Sequence, residues 1–169
     1  SSEAPSTPES RSPWIVGIGA LVIYWPIMYF FGDAADPYGL NGNAQIKLDL
    51  LLIGEKRMYM GEGIPFDPEG ILSTLTSMVN VLAGFIVGKF IQKKGNTLGT
   101  VQALVISGVV LLALAYLWDL GFPINKKIWT SSYVLYTTGL AMLTISLLIY
   151  LIEFRAIKGA WSRFFDVFG

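Results

Sequence analysis

The chain has 169 residues with 12 basic and 12 acidic side chains, no Cys and no His. That balance lacks the basic excess nucleic acid calls for, the missing Cys exclude disulfides and thiolate zinc sites, and the missing His removes the commonest general base and metal ligand. A mean hydropathy of +0.56 with only 14% charged residues is too apolar for a soluble domain, where about 25% charged is usual.

Ser1–Pro13 is rich in Ser, Pro and Glu and reads as a mobile cytoplasmic linker. Because the chain opens on Ser and closes on Phe168-Gly169, it is expected to be a piece of a larger membrane protein. Trp14–Phe31 carries no charge and predicts a spanning helix, since roughly 20 apolar residues rising about 1.5 Å each cross the hydrocarbon core. Its leader holds Arg11 alone among the bases, and no small-residue cleavage site follows, so a signal peptide does not fit. Pro26 removes a backbone donor in mid-span and predicts a bend near Tyr24–Pro26, with the freed carbonyl meeting a neighbour or water.

Residues 32–67 form an outer loop too long to be mere connection. Within it, Ile46, Leu50 and Ile53 recur at helical spacing with Lys47 and Asp49 off that face, which predicts a short helix lying on the outer surface. Further spans are predicted over 68–90, 98–118 and 130–152, with an outer loop at 119–129. Residues 153–169, with Trp161, Phe164, Phe165 and Phe168, read as a cytoplasmic run-in to another span. The fold class is therefore all-α, a polytopic transmembrane helical bundle. A soluble bundle would need polar faces at period 3.6, and Val101–Leu117 and Val134–Ile152 have none wide enough. The short 91–97 turn is purely basic, whereas the long loop mixes its bases with many acids, so both chain ends are placed in the cytoplasm.

Three constellations could carry chemistry. Phe66-Asp67-Pro68-Glu69-Gly70 reads as a helix start, with Asp67 as N-cap and Pro68 in the first helical position. Glu69 at a membrane rim could instead orient a substrate or act as a base if partly desolvated. Ser73, Ser77, Asn80, Gly84 and Gly88 share one face of the second span. Gly84-xxx-Gly88 suits close helix contact, while an amide such as Asn80 inside the bilayer is costly without a partner or ligand. Asn125-Lys126-Lys127-Ile128-Trp129 precedes the fourth span. Its lysines could hold phosphates or a carboxylate, and its Trp could equally be an aromatic-belt residue. No metal-ligand spacing and no phosphate-cradling Gly loop is present.

The order Phe66-Asp67-Pro68-Glu69-Gly70-Ile71-Leu72-Ser73-Thr74, a Gly-containing span, then Pro123-Ile124-Asn125-Lys126-Lys127-x-Trp129-Thr130-Ser131-Ser132-Tyr133 resembles the heparan-alpha-glucosaminide N-acetyltransferase family, and most closely its bacterial homologues. The resemblance runs from about residue 13 to the end. It implies a bacterial inner-membrane enzyme that moves an acetyl group from acetyl-CoA, as co-substrate rather than resident cofactor, to an amino-sugar acceptor across the membrane. It also implies further spans in the parent chain, surrounding lipid as a partner, and a homodimer as one open assembly. The family's proposed acetyl-carrying or basic His lies upstream of the matched region, and this chain has no His, so activity of these residues alone is not expected. On that reading Glu69 and Asn125 are candidate catalytic residues, and Lys126, Lys127, Asn80 and Trp129 candidate donor-binding residues around one outward-opening cavity. The rival class is a membrane carrier or structural membrane subunit, in which the polar stripe lines a path and no bond is broken.

Overall fold

A computed structural model describes residues 12–60, 63–67 and 70–155. The segments 1–11 and 156–169, which hold most of the linker and of the run-in, lie outside the described residues. The first helix, α1, runs from Ser12 to Phe31 without a break at Pro26. It buries a single stripe, Ala20, Leu21, Tyr24 and Met28, one helical turn apart, while Trp14, Ile18, Val22 and Phe30 face outward. Pro26 frees the carbonyl of Val22. The neighbouring carbonyl of Leu21 is the one that finds a partner, accepting from Ser131 Oγ at 2.7 Å.

A short helix, α2 (Ala44–Leu52), is capped by Asn43, whose side chain accepts from Ile46 N at 2.9 Å. Three long helices follow: α3 (Ile71–Lys94), α4 (Leu98–Asp119) and α5 (Ser131–Ile149), the last widening into a π turn over Tyr150–Phe154. Together with α1 these give four helices long and apolar enough to cross a membrane. The protein is an integral membrane protein and, among the described residues, all-helical. Large apolar side chains on every span face outward, which suits a lipid environment and would be costly in water.

The turn between α3 and α4 is set by local chemistry. Gly95 takes φ +71 and closes α3 with its N–H on Ile91 O, a left-handed conformation that a side chain would resist. Thr97 then caps α4 by accepting from Thr100 N. Lys93 and Lys94 occupy the last turn of α3, where positive charge meets the helix dipole. On the same rim Asn96 Nδ2 donates to Glu153 Oε1 at 2.9 Å, tying this turn to the end of α5.

Two sequence expectations fall differently. The helix expected from Pro68 begins at Ile71, with Gly70 as its N-cap and no side chain of its own to cap it. And α2 buries Ala44, Gln45, Ile46 and Asp49, while Leu50, Leu51 and Leu52 are exposed. One cause explains both: Asp49 Oδ1 accepts from Ile71 N at 3.1 Å, so α2 turns a polar face inward to cap α3 from outside it.

The close helix approach also lies elsewhere than expected. A Cβ at Gly84 or Gly88 would meet nothing within 4 Å, so those glycines border open space. Gly108 on α4 and Gly139 on α5 are the touching pair. A Cβ at Gly108 would stand 3.0 Å from Gly139 O, and one at Gly139 2.9 Å from Gly108 O. Gly139→Ala is therefore expected to push α4 from α5 and cost about 1–3 kcal/mol. Gly84→Ala should be neutral or stabilising by up to about 1 kcal/mol through helix propensity. Unfolding of both variants in mixed micelles by SDS titration checks the contrast; equal effects would remove the assigned contact.

Candidate functional site

The apolar core sits at one end of the bundle. Tyr24 and Met28 from α1, Ala44 and Ile46 from α2, Met58 and Phe66 from the long loop, and Phe122 and Ile128 beyond α4 form one cluster. The rings of Tyr24 and Tyr38 lie 5.9 and 5.0 Å from that of Phe122. The 32–67 loop is thus folded into the ends of the spans, and it carries the first motif toward the second.

The second motif is a hydrogen-bonded knot. Asp119 Oδ1 accepts from Ile124 N, Asn125 Oδ1 accepts from Lys127 N at 2.9 Å, and Thr130 Oγ1 accepts from Asn125 N at 3.0 Å. Thr130 also caps α5, and the fully buried Ser132 donates to Phe122 O at 2.7 Å. Three bonds bind this knot to other helices: Tyr24 Oη donates to Ile128 O, Thr76 Oγ1 donates to Trp129 O at 2.7 Å, and Ser131 donates to Leu21 O. Backbone polar groups in a dry environment must be paired; here side chains of α1 and α3 pair them.

Trp129 has φ +48, the one positive value among non-glycine residues described. A bulky residue there stores strain of order 1–3 kcal/mol and persists only where its surroundings fix it. Its carbonyl is held by Thr76, its ring packs edge-on against Tyr133 at 5.4 Å, and its buried indole Nε1 has no partner. One turn further along α3, Asn80 Nδ2 donates to Thr137 Oγ1 at 3.1 Å, and Asn80 Oδ1 is buried without a partner. Asn80 stands at the head of a cleft of about 190 Å³ between α3 and α5, whose walls include Gly84, Gly88, Thr138 and Ala141.

Asn80 and Trp129 therefore share the α3–α5 seam, and Asn125, Lys126 and Lys127 lie on the same end of the bundle with both lysines exposed. The cleft below Asn80 is not lined by Asn125, Lys126, Lys127 or Trp129. Glu69 lies outside the described residues. Sequence reasoning missed Asp49 and Gln45. Both are fully buried; Gln45 Nε2 donates to Asp67 O at 2.8 Å, while Gln45 Oε1 and Asp49 Oδ2 have no partner. The available signal was a pair of polar residues four apart, Gln45 and Asp49, in a helix that also carries Lys47, which reads equally well as a solvated face. Gly70 fits between them because it has no side chain: a Cβ would stand 2.2 Å from Asp49 Oδ2 and 2.5 Å from Gln45 Nε2.

Burial raises the Asp49 pKa above its ordinary 3.8, the Ile71 N–H opposes this, and the charge of Asp67 adds to the rise. The folded state thus favours the protonated acid. Asp49 contributes its full stability below about pH 3.8 and loses it as pH rises through the raised folded value.

No family model matches the chain. It is similar to heparan-alpha-glucosaminide N-acetyltransferase of Homo sapiens, 29% identical over 146 residues that cover 78% of this chain and 22% of the relative. The Mus musculus protein of the same name matches over the same length with the same identity and shares. The chain spans about a fifth of the length of these curated relatives.

Two outcomes follow from the geometry. Thr76→Val should cost about 1–3 kcal/mol, because it leaves the Trp129 carbonyl without its donor; SDS unfolding reads this, and a change under a few tenths would show that the bond holds nothing. Asp49→Asn keeps a capping oxygen and removes the ionisable proton. Its thermal midpoint relative to the unmodified protein should rise between pH 4 and pH 7, whereas a constant offset would place Asp49 in a water-like setting.

Proposed function

We propose that this chain is part of a membrane acetyltransferase that moves an acetyl group from acetyl-CoA to an amino-sugar acceptor across a bacterial inner membrane. The observation that carries the reading is the similarity, over 146 residues, to heparan-alpha-glucosaminide N-acetyltransferases. Support comes from the site: the seam bond between Thr76 and Trp129 brings the helix of the first motif against the second motif, so both contribute to one rim.

In this reading the acceptor amine attacks the thioester carbonyl. The C–N bond forms, the C–S bond breaks, and the thiolate leaves with the proton that the amine gives up. Lys126 and Lys127 meet the donor's phosphates, since ammonium groups on an exposed turn pair readily with phosphate oxygens. Asn125 fixes that turn through Lys127 N. The buried Asn80 Oδ1 and Trp129 Nε1 supply one acceptor and one donor for an amide of the donor's arm. Glu69 positions the acceptor amine, and the principal base comes from elsewhere in the complete protein, as this chain has no His.

The test uses the full-length protein. Lys126→Ala with Lys127→Ala should weaken acetyl-CoA binding by roughly tenfold or more, as expected for two lost charge-assisted contacts, and Asn125→Ala should slow transfer to glucosamine. Binding and transfer both unchanged, with unfolding midpoints preserved, would make the rim structural and favour a carrier or scaffold.

A further inference from the structure

At the end of the bundle opposite the Asn125–Trp129 turn, the start of α1 and the end of α3 enclose a cavity of about 540 Å³. Trp14, Phe85 and Phe90 give it aromatic walls, and Lys89, Lys93 and Lys94 give it three positive charges, with no acid among the described residues that line it. We infer that this cavity binds the phosphate of an anionic phospholipid headgroup.

The helix itself accounts for part of the charge. Lys93 and Lys94 complement the dipole in the last turn of α3, an effect that fades within that turn. Lys89 stands further back, and its ammonium is held over the Phe85 ring at 4.6 Å from the centroid. Lys89 and Lys93 are one turn apart on α3 and both line the cavity with Lys94, so one phosphate entering it meets ammonium groups from two successive turns.

The source of the phosphate follows from the walls. Trp14 and Phe85 are both more than half exposed, on faces continuous with Ile15, Ile18 and Val81, which point away from the bundle. In a membrane-spanning helix those faces meet acyl chains, so a molecule reaching the cavity along them comes from the bilayer. Basic pockets between spanning helices near the headgroup level suit anionic lipids for this reason. A soluble phosphate would meet the same ammonium groups and gain nothing from the aromatic walls.

The full-length protein, purified in a neutral detergent, tests this with phosphatidylglycerol, phosphatidylcholine and inorganic phosphate as probes. Native mass spectrometry reads bound lipid, and the thermal midpoint reads protection. Phosphatidylglycerol should be retained about tenfold more strongly than phosphatidylcholine and should raise the midpoint. Lys89→Gln with Lys94→Gln should abolish that preference, Lys89→Arg should keep it, and Lys47→Gln on the opposite rim should not change it. Equal retention of the two lipids, or a preference that survives the double variant, overturns the assignment. Protection by inorganic phosphate equal to that by phosphatidylglycerol overturns the lipid source and makes this a soluble-phosphate site. If the double variant fails to fold, the lipid comparison on the unmodified protein together with Lys89→Arg still decides.

Discussion

A chain that leaves a membrane helix and re-enters the next must bring irregular backbone to the edge of a dry environment, and each carbonyl in that stretch needs a donor. Ile128 and Trp129 meet this requirement through side chains of other helices, Tyr24 of α1 and Thr76 of α3. Ser131 repays the arrangement by donating to Leu21 O. The register of α1, α3 and α5 at this rim is therefore fixed by three long-range hydrogen bonds rather than by apolar packing alone. Apolar contact between helices has little driving force against lipid, so such bonds and close small-residue contacts decide which helices pair.

The same logic governs the other entry to the rim. The 24-residue helix from Ile71, with Gly70 as its N-cap, has no side-chain cap of its own, and its first N–H groups would be unsatisfied. Asp49 satisfies one of them from α2, which explains why a carboxylate is buried in the long loop; that burial raises its pKa although the Ile71 N–H opposes the rise. The loop is then an integral part of the rim. The two motifs that lie some fifty residues apart in sequence are joined by Thr76 and Trp129 within it. A site built on such cross-braced elements is preorganised, and the strained backbone at Trp129 is affordable because its surroundings over-determine it.

Legibility in the sequence divided along physical lines. The four spans were visible because hydrophobic length is a one-dimensional property: Trp14–Phe31 or Leu98–Trp118 can be counted off without knowing any neighbour. The short helix in the loop was visible from its periodicity, yet its inward face was not, because Asp49 is buried by a demand that arises on α3. Gly84-xxx-Gly88 matched a contact motif and borders open space, while Gly108 and Gly139, with no matching spacing, make the contact. A motif on one helix cannot specify its partner; that is set by the hairpin loop joining α4 to α5. The knot at Asn125–Ser132 lay between a structural and a functional reading, and the side chains of Asn125, Thr130, Ser131 and Ser132 have structural partners. Their use in chemistry rests on the exposed lysines and the unpaired Asn80 and Trp129 atoms.

The two seams of α5 show how function and stability separate in this bundle. Against α4, backbones touch at Gly108 and Gly139, a contact that admits no ligand. Against α3, the helices diverge below the Asn80–Thr137 bond and leave a cleft walled by Gly84, Gly88, Thr138 and Ala141. Small residues at a touching seam strengthen packing, but at a diverging seam they enlarge space and weaken it. That cost is hard to explain by stability, as larger side chains would fill the gap and recover dispersion energy. The polar atoms at its head reinforce the point. Asn80 Oδ1 is buried without a donor, and burying such an oxygen costs about 1–3 kcal/mol. A seam that is both open and under-satisfied at one end has the properties of a binding surface. Asn80, at the head of that cleft, stands one turn along α3 from Thr76, whose hydroxyl holds the Trp129 carbonyl of the rim.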